Sequence, residues 1–132
     1  MDLLDAANDE AGRAETERLP QADLYRRQAA EKIWGFVVSE VNRRLREAGY
    51  PVESGPASHE ARRKWLRELD RVLGTDLVPR HDAYADLHGS CFYEARCPPP
   101  EVLRYMLEGA RPFVESVITA LREVRRRGAR AS

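Results

Sequence analysis

The sequence predicts an all-α protein, an up-and-down antiparallel four-helix bundle. Three observations carry that expectation. Apolar residues recur at three- and four-residue spacing through four stretches, and no segment alternates in the manner of a half-buried strand. Glycine or proline closes each of the first three stretches and the linkers are short, so consecutive helices should lie antiparallel.

The opening stretch, residues 1–19, holds six acids (Asp2, Asp5, Asp9, Glu10, Glu15, Glu17) and little apolar material beyond Leu3, Leu4 and scattered alanines. It is either a short docked helix or a frayed arm, and the bundle itself spans residues 20–128. Beyond Pro20, Tyr25, Ala29, Ile33, Val37, Val41 and Leu45 recur every four residues, with Ala30, Trp34 and Val38 alongside. This spacing predicts a helix of about 28 residues, roughly 42 Å long, closed by Gly49 and Pro51. A second helix should begin with Ser58 as its cap, bury Ala61, Trp65, Leu69 and Val72, and stop at Gly74. A third should start near Pro79, which suits a first turn, and run to the triple proline Pro98–Pro100. The fourth carries Val102, Met106, Ala110, Phe113, Val117, Leu121 and Val124 on one stripe, with Pro112 bending it on the outer side.

A chain of 132 residues suffices for one modest core. Acids and bases balance at 22 each, so no global field favours nucleic acid or an anionic membrane. The acidic start, Met1 to Glu10, is unlike a secretory signal, and no apolar run approaches the ~20 residues that span a bilayer; a cytoplasmic protein without membrane contact is expected. Cys91 and Cys97 match no zinc or redox spacing, so reduced thiols are expected. The arginine run Arg122, Arg125, Arg126, Arg127 and Arg130 complements a helix C-terminus.

Candidate functional residues gather around one run, Leu87 to Glu94. Read as a helix, it aligns Arg80, Tyr84, His88, Cys91 and Ala95 on one stripe, which places His88 on the core side. His88 is then either an imidazole hydrogen-bonded across the bundle or a group for ligand binding or proton transfer. Antiparallel pairing brings His59 near Tyr93 and Glu94, sets His88 level with Val41 and Lys64, and leaves Glu31 and Lys32 closer to Arg80. On an uninterrupted helix Tyr93 faces away from His88. Glu31, beside Trp34 and Val38, needs a cationic or hydrogen-bonding partner, for which Lys32 or an arginine could serve. The Glu-x-x-His element of metal-binding bundles is missing, which argues against a metal site; no cofactor is expected.

The series Glu31, Lys32, Ile33, Trp34, Gly35, then Gly49, then His59, then Leu87, His88, Phe92, Tyr93, Glu94 resembles the PaREP-one family, over about Tyr25 to Leu121. That family is similar to HEPN domains, helical bundles that pair as dimers and occur in nucleotide-binding modules, toxin and antitoxin pairs and RNA-cleaving enzymes. The resemblance implies a homodimeric binding module for a nucleotide, a nucleic-acid segment or a protein partner. Its site would be Glu31, Lys32, His59, His88, Tyr93 and Glu94. The alternative is a hydrolase. It would be either a ribonuclease with His88 as acid or base and Arg80 supporting phosphate charge, or a metal-assisted enzyme using His59, His88 and Glu94. HEPN ribonucleases resemble one another in an arginine followed four to six residues later by histidine. Here seven residues separate Arg80 from His88, a departure that speaks against cleavage.

Overall fold

A computed structural model describes residues 2–16 and 21–131, and among them every regular element is helical. The helices are α1 (Leu3–Thr16), α2 (Gln21–Glu47), α3 (Ala57–Leu73), α4 (Leu77–Leu87), continued by a π-helical segment (His88–Tyr93), and α5 (Pro100–Ala131). Pro20, expected to mark the arm's end, lies outside the described residues, as do Glu17 and the side chain of Arg130. None of the helices is long and apolar enough to cross a membrane. The chain divides into two compact units, Met1–Val38 with Asp82–Ala110 and Ser39–His81 with Arg111–Ser132.

In the first unit the opening stretch is a docked helix. Leu4, Ala7, Ala11 and Ala14, spaced for one face of α1, are all buried. Polar contacts flank this face. Lys32 pairs with Glu10, and Arg104 donates to Asn8 Oδ1 at 2.6 Å and Glu15 Oε1 at 2.8 Å. Gly35 permits the approach of α1, since a Cβ there would stand 3.2 Å from Leu3 Cδ1. The expected α2 stripe is seen through this unit, with Ala29, Ile33 and Val37 fully buried. In this part of α5 the buried positions are Leu103, Leu107 and the expected Ala110, while Val102 is exposed; the start of the stripe is one residue off because strict four-residue spacing drifts around a helix of 3.6 residues per turn.

The cysteines correct an expectation. Cys91 and Cys97 form a disulfide. The two thiols, expected to be reduced, can meet because the helix ends between them: Tyr93 closes the π segment, Ala95 takes a left-handed φ of 57°, and the Arg96 N–H donates to Ser90 O at 2.8 Å. Closing so short a loop removes about 2 kcal/mol of chain entropy from the unfolded state. Denaturant titration with and without a thiol reductant should show a loss of that size on reduction, and no reductant effect in a Cys91→Ala/Cys97→Ser variant.

In the second unit, α2 ends as predicted. Gly49 has φ 94°, and the Gly49 and Tyr50 N–H groups donate to the carbonyls of Arg46 and Leu45, which gives a Schellman closure. Gly74 closes α3 in the left-handed region, its N–H donating to Asp70 O. The Asp70 carboxylate then caps the next helix, accepting the Leu77 and Val78 N–H groups at 2.8 and 2.9 Å. Helix α4 thus begins two residues before Pro79, which remains in its first turn. The buried stripe of α3 is Ser58, Arg62, Leu66 and Leu69; of the expected residues Leu69 is buried, whereas Ala61 and Trp65 are only half-buried and Val72 is 41 % exposed. Ser58 lies inside α3 and does not cap it. In α5 the expected Phe113 and Val117 are fully buried.

Candidate functional site

The His88 cluster is built from α2 and the π segment of the first unit. Arg27 pairs with Phe92 and Glu31 with His88, so higher numbers on one strand of the pairing meet lower ones on the other and the π segment runs antiparallel to α2. His88 is therefore level with Glu31, not with Val41. Nor does the imidazole enter the core: its side chain is 14 % exposed, while Tyr84 and Cys91 beside it on the expected stripe are buried.

His88 Nε2 lies 2.5 Å from Glu31 Oε2, so Glu31 finds its partner in this histidine. An ionised carboxylate only accepts, so Nε2 carries the proton in this pair and Nδ1 is left for another group. The ring stacks on Phe92 at 5.3 Å and an interplanar angle of 8°. Trp34 lies 6.0 Å away on a ring tilted by 23°. Tyr93 meets the imidazole edge-on at 5.0 Å, although an α-helix would have turned it away. The cause is the π segment: its wider turn repeats every i to i+5, which puts residues 88 and 93 on one side. Tyr93 remains 70 % exposed.

Carbonyls at a helix end lose their intrahelical partners. Arg27 supplies one here, donating through Nε and Nη2 to Phe92 O at 3.1 and 2.8 Å. This fork holds the backbone of Phe92, whose ring stacks on His88. Beyond it, Glu94 and Arg96 form an exposed ion pair of little energetic weight.

Among the expected site residues, Glu31, His88 and Tyr93 thus converge. Lys32 is engaged by Glu10, and Glu94 by Arg96. His59 and Arg80 belong to the second unit. There Arg80 donates to Ser116 Oγ at 3.0 Å and its guanidinium lies 5.3 Å from the Phe113 ring centre. Among the described residues no three His, Cys, Asp or Glu side chains gather as metal ligands.

His59 joins a network centred on Arg62, whose residue is 1 % exposed. Arg62 Nε donates to His81 Nε2 at 2.9 Å, and Nη1 to Asn42 Oδ1 and Ser58 Oγ at 3.1 Å each. Nη2 approaches His59 Nδ1 at 3.2 Å. A guanidinium has no acceptor, so both histidine nitrogens facing it must accept. Burial lowers the Arg62 pKa to about 10, which leaves it charged at neutral pH. Sequence reasoning passed over Arg62 and His81. The available signal was the run Ser58, Arg62, Leu66, Leu69 at helical spacing, hidden by the presumption that arginine faces water.

No family model, curated protein or solved structure matches this chain.

Proposed function

We propose that this chain is a HEPN-like binding module of the PaREP-one type, an antiparallel bundle that recognises a base of single-stranded RNA or of a nucleotide without cleaving it. The observation that carries the proposal is Tyr93: a ring 70 % exposed, packed against an imidazole that Glu31 orients. Exposed aromatic side chains serve as platforms for unstacked bases, and the polar groups behind them read base edges. In this reading Tyr93 stacks on the base and His88 Nδ1 meets one of its polar groups. The module acts in the cytoplasm as a homodimer, with RNA or a toxin or antitoxin protein as its partner.

A single-stranded RNA oligonucleotide carrying a fluorophore tests the reading by anisotropy. Tyr93→Ala should weaken binding by about tenfold, the value of one stacked base, and Tyr93→Phe should retain it, with the RNA recovered intact. Failure of the folded protein to bind either the RNA or a free nucleotide would remove the reading. The 2.5 Å contact of Glu31 with His88 also has the form of an oriented general base. RNA cleavage that His88→Ala abolishes without loss of thermal stability would establish the hydrolase instead.

A further inference from the structure

The second unit holds a separate groove of about 640 Å³ between the end of α2 with its closing turn and the last part of α5. Its composition is divided. Ile118, Leu121 and Val124 provide apolar surface from α5, and Tyr50 adds a ring from the turn, while Arg44, Arg122 and Arg125 bring three guanidinium groups. Volumes of this size hold small organic molecules.

The charge of the groove favours an anion. Its one acid, Glu47, is already matched, lying 3.1 Å from Arg43 and 3.8 Å from Arg44. Arg122 and Arg125, exposed and one helical turn apart, form no ion pair or hydrogen bond with the described residues. Elsewhere on this stretch of α5 the arginines are satisfied internally, Arg126 and Arg127 both binding Glu123. The negative pole of α2 would oppose an anion here, yet its closing turn uses up the Leu45 and Arg46 carbonyls.

We infer that this groove binds a small phosphate monoester with an aromatic or aliphatic body, the body lying on Ile118, Leu121 and Val124 and the phosphate held by Arg44, Arg122 and Arg125. Guanidinium forks match the geometry of phosphate oxygens, and a dianion can engage more than one of them. The site is independent of the His88 cluster.

Calorimetric titration of the full chain with 1-naphthyl phosphate tests the inference. Saturable binding at one site is expected, with inorganic phosphate and neutral naphthalenemethanol each binding at least about tenfold more weakly, because each lacks half of the recognition. Arg122→Ala/Arg125→Ala should reduce affinity by about tenfold or more and leave thermal unfolding unchanged, since neither side chain is paired with a described residue. Three results would overturn the inference: no saturable binding at millimolar 1-naphthyl phosphate, equal binding of the neutral compound, or undiminished affinity in the double variant. The comparison of compounds on the wild-type chain stands even if the variant proves unstable.

Discussion

Replacing Arg62 with alanine should lower the stability of the protein by about 3–5 kcal/mol, the range seen when one partner of a buried charged network is removed. The cause is what the substitution leaves behind. Arg62 is 1 % exposed and supplies hydrogen bonds to His81, Asn42 and Ser58, which are all buried in turn. Without the guanidinium, each of these groups is buried with one partner fewer, at about 1–3 kcal/mol for each one left unpaired. Arg62→Lys should recover only part of the loss, since an ammonium lacks the planar fork that reaches three elements at once. Denaturant titration followed by circular dichroism measures both. A loss below about 1 kcal/mol for Arg62→Ala would mean that the network does not hold the second unit together.

Phe113→Ala should cost about as much, 3–5 kcal/mol on the scale of buried aromatic truncations (roughly). The ring is fully buried in α5, and the Arg80 guanidinium lies 5.3 Å from its centre. Truncation therefore leaves a cavity and also removes the surface on which Arg80 rests. Arg80→Ala should be milder, about 1 kcal/mol, because that side chain is partly exposed. The same titration checks this pair, and a reversed order of the two losses would show that the ring's burial is not what stabilises α5 there.

The helices were legible because each buries one face, and burial leaves a 3.6-residue record in the sequence. Ala29, Ile33 and Val37 show it, as do Phe113 and Val117, and the glycine closures at Gly49 and Gly74 were plain from conformational freedom alone. Two features left no such record. A π turn shifts the side chains that follow it without changing composition, so uninterrupted α-helical spacing turns Tyr93 away from His88 although both are expected site residues. A buried arginine reads as a surface residue until its partners from other helices are known, and Asn42 and His81 lie about 20 residues away in sequence. The Glu31–His88 pair is a middle case. Both residues were candidates, but their contact depends on helix register, which periodicity does not specify.

Trp34, 6.0 Å from His88, offers the most direct test of the His88 cluster as the binding site. In a Trp65→Phe background its fluorescence is the only tryptophan signal, Trp34 and Trp65 being the two tryptophans of the chain. Titration with a single-stranded RNA oligonucleotide should change that signal saturably, with the same midpoint as the anisotropy of the labelled RNA, and Tyr93→Ala should shift both midpoints together by about tenfold. RNA binding that leaves Trp34 fluorescence unchanged, or that is indifferent to Tyr93→Ala, would contradict the assignment.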